Sequence, residues 1–370
     1  MTVRFAHKLA QIPGYQAGVP PGKAPEAIAA EGIAQLASNE SPFSPHPAVV
    51  EAIGRAAAAM NRYPDPSAAL LRGRLAERFD CDPGSIALAN GSCEILLAAA
   101  LALCEPGAEI VYAWPSFSMY PYLAPLSGAR EIRVPLAGFD HDLEAMLAEV
   151  TAATQLMLVC NPNNPTSTAV SAEAVTDFVK RVPRHVCVIV DEAYCEFNTL
   201  DDPDTTLDLL KRHSNVVLLR TFSKVYGLCG LRVGFALCGS DDFVTAVNQV
   251  RQPFFCNAAA QAAAIEALRH QDEVNSRVER TIVARLELED GLRELGIEPA
   301  DSQANFCWFD LPVAEGEEPA EVEARVVRGL GERGVLVRAG NALGRAGALR
   351  VTYGTPGQNA RFLRELGALL

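Results

Sequence analysis

From about Ser85 to Leu237 the chain alternates short apolar runs with amphipathic stretches of helical period. The runs "SIALA", "EIVYA", "EIRVP", "LMLVC", "VCVIV", "NVVLL" and "RVGFAL" predict seven strands. Near-continuous apolar strands separated by helices imply an α/β fold with a mostly parallel sheet flanked by helices on both faces. Ligands of such sheets gather beyond the carboxyl ends of the strands. The chain puts its least ordinary residues there: "NGSCE" after the first strand, "NPNNPT" after the fourth, "DEAY" after the fifth and "RTFSK" after the sixth.

After Asn257 the pattern becomes one long helical stretch ending at "LREL". It is followed by "NFCWFDL", a helix through "PAEVEARVVRGLGERG", strands "VLVRAG" and "ALRVTYG", and a closing helix. Three parts are expected: an arm over residues 1–40 packing with the small domain, a large cofactor-binding domain over 41–256 and a smaller α/β domain over 257–370. "GLGERG" (329–334) matches the dinucleotide fingerprint in letters, but it follows a helix and precedes a strand, the reverse of what that fingerprint needs.

Composition narrows the function. With 370 residues, 49% of them hydrophobic, the chain can bury large cores. A formal charge of −13 argues against nucleic acid as partner, because phosphate backbones need a basic face. "ILLAAALALC" is about half a membrane span, and "MTVRFAHKLAQIPGY" has no apolar signal core, so a cytoplasmic protein is expected. Ten cysteines without a CxxC pair, many inside apolar strands, read as reduced and buried; with six scattered histidines they give no metal site.

Five constellations carry chemistry. Lys224 is one of only five lysines, and it sits just past a buried strand end with Thr221 and Ser223 before it and glycines after. Burial and neighbouring positive charge would lower its pKa and suit it to join a carbonyl cofactor; Arg232 could hold a phosphate. In "NGSCE", strand, Gly-Ser and helix aim the amides of Ser92 and Cys93 at an anion. In "VCVIVDEAY", Asp191 ends an apolar strand, where a lone carboxylate is costly, so it should meet a cation such as a protonated pyridine nitrogen. Tyr194 follows, within reach of a phenolic oxygen. "NPNNPT" offers Asn164 as a donor from a proline-fixed turn. Arg350 lies in the otherwise apolar "GALRVTYG" and wants a bidentate anionic partner. Together these describe a pyridoxal 5′-phosphate site.

The ordered motifs "NPNNPT", "DEAY", "TFSK-x6-GLR-x-G" and "LRVT-x-GTP" resemble the fold type I aminotransferases, in particular the histidinol-phosphate and aromatic amino-acid aminotransferase group. The resemblance extends from "YQAG" and "LASNESPF" through "NRYPDP" to "GTPGQNARFLREL". It implies Lys224 as the Schiff-base and proton-shuttle lysine, Asp191 as the partner of the ring nitrogen, and Asn164 and Tyr194 as partners of the ring hydroxyl. Ser92, Cys93, Thr221, Ser223 and Arg232 would hold the phosphate, and Phe117 would stack on the ring. Tyr63 would reach the phosphate across a homodimer interface. Tyr15, Asn39, Phe254, Arg338 and Arg350 would line the substrate side.

The sequence departs from the histidinol-phosphate pattern at Phe117 and Phe254, where that group often has tyrosine. Each lost hydroxyl removes a bond worth about 0.5–1.5 kcal/mol and leaves an apolar wall. "CNPNNPTST" and "SQANFCWF" resemble the aromatic amino-acid enzymes. The expected activity is amino transfer from an aromatic L-amino acid to a 2-oxo acid such as 2-oxoglutarate. Histidinol phosphate as donor is the alternative, since Tyr15, Arg338 and Arg350 suit a phosphate; a related decarboxylase would share every cofactor residue. A non-catalytic DNA-binding regulator would need a basic domain ahead of Ser38, and the arm is short and weakly basic.

Overall fold

The computed structural model describes residues 3–12, 14 and 32–370. Its strands are β1 (Ala34–Gln35), β2 (Ile86–Ala89), β3 (Glu109–Trp114), β4 (Arg130–Pro135), β5 (Thr154–Cys160) and β6 (Cys187–Asp191). They continue as β7 (Val216–Thr221), β8 (Gly234–Cys238), β9 (Phe306–Asp310), β10 (Val335–Leu336), β11 (Arg338–Ala339) and β12 (Ala348–Thr352).

Seven strands form the main sheet in the order β2-β8-β7-β6-β5-β3-β4. β8 alone runs antiparallel to its neighbours; the other pairings are parallel. Every residue of β6, β7 and β8 is buried, because helices cover both faces. Alternate residues feed two cores: Val188 and Val190 point into one, Cys187 and Ile189 into the other. β4 departs from the apolar expectation. It is the edge strand, and of its residues only Val134 is buried.

A second sheet, β11-β12-β9, is antiparallel, and β1 pairs in parallel with β10 beside it. Its core joins Leu36, Phe309, Val326, Val351 and Phe362. The single long helix expected after Asn257 is two helices, Ala258–Ala267 and Gln271–Glu294. The first buries Ala259, Ala260, Ala263, Ala264 and Ala267, small side chains that let it pack closely on the helix Pro47–Ala57. The break falls where His270 stacks on His46 with ring centroids 3.8 Å apart. The second helix then runs on to the smaller sheet's core through Ala284, Leu288 and Leu292.

Candidate active site

β5, β6 and β7 are adjacent in the sheet, so the loops after them emerge side by side. These carry Asn164, Asp191 with Tyr194, and Lys224. All four line one cavity of about 390 Å³. The ends of β6 and β7 are held in register by the bond from the Glu192 amide to the Leu219 carbonyl (2.8 Å). Buried Arg220 reinforces this, donating to Glu192 and to Asp204, both at 2.8 Å.

Lys224 reaches into the cavity, and its Nζ donates to the carbonyls of Ser38 (3.3 Å) and Asn39 (3.2 Å). Burial, followed by the positive charge of Arg350, pulls the amine down from its usual range to about 8. Asp191 is pushed the other way. Burial raises its carboxyl to about 7, against the opposing pull of the Ala193 N–H and the Tyr120 hydroxyl, each 3.3 Å from a carboxylate oxygen. A buried acid that lacks a full counter-charge is a receptor for a cation.

At the start of the helix Ser92–Leu103 the backbone narrows to a cradle. Gly91 has φ +87°, and a Cβ there would lie 2.5 Å from the Arg232 guanidinium; a Cβ on Gly234 would lie 2.5 Å from the Ser92 amide nitrogen. Two glycines therefore let Arg232, Ser92 and the helix end converge on one point. Thr221 and Ser223 face it, joined by a 2.9 Å hydroxyl bond. Ser92, Cys93, Phe117 and Arg232 all line the cavity.

The opposite wall comes from the smaller sheet. Arg350 and Arg338 line it, and Arg350 donates to Asn164 Oδ1 (2.6 Å) and the Ala37 carbonyl (2.7 Å). Asn164 Nδ2 (3.3 Å) and Asn39 Nδ2 (3.0 Å) both donate to the Tyr194 hydroxyl. Tyr63 and Phe254 do not line this cavity. They stack on each other at the surface with centroids 4.3 Å apart, and Tyr63 is 79% exposed. Tyr15 lies outside the described residues.

Sequence reasoning missed Tyr120, which sits 71 positions before its partner Asp191 and bears no local mark of the site; only its place in an apolar stretch, "SMYPYL", hinted at burial. It also missed the Ser38 carbonyl and Cys229, which lies beside Arg232 in the cavity wall. The residues present fit pyridoxal phosphate. A cavity with a cradle for a phosphate at one end, an amine of lowered pKa at its centre and a buried acid seeking a cation offers each group that cofactor needs.

Residues 31–366 match the model of the family "aminotransferase class I and II". An aromatic amino acid aminotransferase of Thermobifida fusca is 44% identical over 332 residues, 89% of this chain and 88% of that protein. One from Mycobacterium sp. strain KMS is 39% identical over 374 residues, 98% of this chain and 97% of that protein. Among solved structures, histidinol-phosphate aminotransferase from Sinorhizobium meliloti in complex with pyridoxal-5′-phosphate superposes with a TM-score of 0.86 at 27% identity, over 100% of this chain and 98% of that one. The chain belongs to the class I and II aminotransferase family. It is an aminotransferase of fold type I, and its cofactor is pyridoxal 5′-phosphate.

Proposed function

We propose that the protein moves the α-amino group of an aromatic L-amino acid to 2-oxoglutarate. One observation carries the substrate class: the Thermobifida and Mycobacterium proteins, aligned over 88% and 97% of their own lengths, are both aromatic amino acid aminotransferases. Phe117 supports it by giving the cavity an apolar ring where a tyrosine would add a hydroxyl.

The site residues take these roles in our reading. Pyridoxal phosphate supplies an aldehyde that receives the amino group and a protonated ring that draws electrons from the substrate's α-carbon. Lys224 Nζ would anchor the cofactor, and its amine is placed to take the proton from the substrate's α-carbon and return it. A pKa near 8 leaves a useful fraction of the amine neutral at physiological pH. The Asp191 carboxylate keeps the ring nitrogen protonated, with Tyr120 fixing one of its oxygens. Tyr194, Asn164 and Asn39 steady the ring hydroxyl; Ser92, Cys93, Thr221, Ser223 and Arg232 take the phosphate. Arg350, with Arg338 beside it, grips the substrate carboxylate.

Tyr63, exposed and paired with Phe254, we assign to a second copy's cofactor phosphate, which makes the working unit a homodimer. The separate cores of the two sheets support a large and a small domain, with Ala34 and Leu36 of the arm in the smaller core. The helix Ala258–Ala267 packs in the main core, so the boundary we propose falls within the helix Gln271–Glu294 rather than at 256. A cytoplasmic setting accords with the cysteines, all free thiols. No helix among the described residues is long and apolar enough to cross a membrane.

The two arginines of the small sheet favour a second reading, histidinol phosphate as amino donor, because they suit a phosphate dianion as well as a carboxylate. Measuring kcat/KM for L-phenylalanine and L-histidinol phosphate with 2-oxoglutarate separates the readings. A hundredfold preference for the phosphate ester would replace the aromatic assignment. Full turnover by Lys224→Ala would sink both.

A further inference from the structure

The Lys224 amine donates to two carbonyls, of Ser38 and Asn39, which lie not on the main sheet or its loops but in residues 36–39, just beyond β1. That segment is stitched to the smaller sheet. The Leu36 amide donates to the Leu336 carbonyl and the Thr352 amide to the Leu36 carbonyl, each at 2.8 Å. Arg350 donates to the Ala37 carbonyl at 2.7 Å. The Asn39 amide donates to Thr352 Oγ1 (2.9 Å), and that hydroxyl in turn donates to Asn39 Oδ1 (3.2 Å). Asn305 Nδ2 completes the set at 3.2 Å from the Asn39 carbonyl, the one that also receives Lys224.

We propose that residues 36–39 are a docking element for the Lys224 amine, and that Thr352 is the positioning residue that fixes its carbonyls through Asn39. The proposal rests on the reading of Lys224 given above. Asn39 is fully buried and holds φ +54°, a left-handed conformation that asparagine tolerates but that needs support from its surroundings. The Thr352 hydroxyl gives that support twice, as acceptor and as donor. The same side chain of Asn39 reaches the Tyr194 hydroxyl, so one residue sets both the lysine and a phenol of the cofactor pocket.

The consequence is electrostatic. Carbonyl oxygens bind an ammonium group more strongly than a neutral amine. Two carbonyls aimed at Nζ therefore favour the protonated form, while burial and Arg350 favour the neutral one. The strand that carries Arg350 also carries Thr352, so the group that binds substrate carboxylate and the group that sets the lysine's carbonyls move as one body. Mere packing of the arm would need neither the hydroxyl nor its geometry.

The test is the pKa of the Lys224 amine in the full-length protein stripped of cofactor, read from the pH dependence of its labelling by acetic anhydride with peptide mass spectrometry. Thr352→Val keeps the volume and loses both hydroxyl bonds; its pKa should fall by about half a unit or more relative to the parent. Thr352→Ser should restore the parent value. A parent-like pKa in folded Thr352→Val overturns the proposal, and so does a serine variant that shifts as the valine one does. Thr352→Ala serves if valine fails to fold, and failure of both to fold also overturns it, because the hydroxyl would then serve the fold alone. If pyridoxal phosphate and borohydride do not label Lys224 in the parent, the functional reading falls, whereas the dependence of the amine on Thr352 is still decided by its own pKa.

Discussion

Arg338 and Arg350 stand directly opposite each other in the β11–β12 ladder, and both line the active-site cavity. Like charges at opposed positions of neighbouring strands repel, so the pair costs the smaller sheet some stability. Such an arrangement is expected where an anion is bound.

Arg350→Gln should lower kcat/KM for every amino donor by about ten- to a hundredfold, the value of a charge-assisted bond to the substrate carboxylate. Arg338→Gln should act mainly through KM, and most for substrates with a second acid group. Arg350→Gln relieves the repulsion but also gives up the bonds to Asn164 and the Ala37 carbonyl, so its Tm should fall by a modest amount. Steady-state kinetics and a thermal melt check both; a large drop in Tm would recast the pair as structural.

Asp191→Asn should reduce kcat by at least about a hundredfold, since an amide cannot hold a proton on the ring nitrogen as a carboxylate does. Its effect on cofactor-free stability has the opposite sign. The folded pKa of Asp191, about 7, lies above the ordinary 3.8. Between those values the unfolded chain has released a proton that the folded one still holds, so this residue makes stability fall as pH rises from 4 to 7, after which the loss is constant. The Tm of Asp191→Asn minus that of the parent should therefore grow over this window.

Lys224 should react with carbonyl reagents faster as pH rises through about 8, well below an ordinary lysine. A carboxylate ligand on Arg350 neutralises one of the charges that depress the amine, so adding a non-reactive carboxylate should move that midpoint upward. A midpoint that stays still, with the ligand shown to be bound, would separate Arg350 from the lysine.

Gly91→Ala places a methyl where Arg232 lies and forces alanine into φ +87°. Strain of about 1–3 kcal/mol is expected. Pyridoxal phosphate affinity, read by absorbance titration, should weaken at least tenfold while the main sheet's far-ultraviolet dichroism is kept.

Much of this site was legible because its residues sit at strand ends, where a run of apolar side chains stops abruptly at a polar one. "VCVIVD" and "NVVLLRTFSK" announce Asp191 and Lys224 in this way; burial lowers the Lys224 pKa as expected and also raises that of Asp191. Tyr120 was hidden because its role depends on how a short helix packs on the sheet, a matter of tertiary contact with no local signature. The Asn39 contacts were hidden for the same reason, since they join positions more than 150 residues apart. The break at His270 also escaped notice. No glycine or proline marks it, and the His46 ring that stacks on His270 there comes from a distant part of the chain.

The adjacency of β5, β6 and β7 has a bearing on how this chain can change length. Neighbouring strands lie about 4.8 Å apart, while each residue advances a strand by about 3.3 Å. Deleting one residue between Thr221 and Lys224 would thus draw the amine back by up to about 3.3 Å, most of a ring's width. The exposed stretch 312–318, between β9 and the helix Pro319–Glu332, could gain or lose residues with little consequence. A tolerance map of insertions and deletions should be blank at three narrow gaps and permissive there.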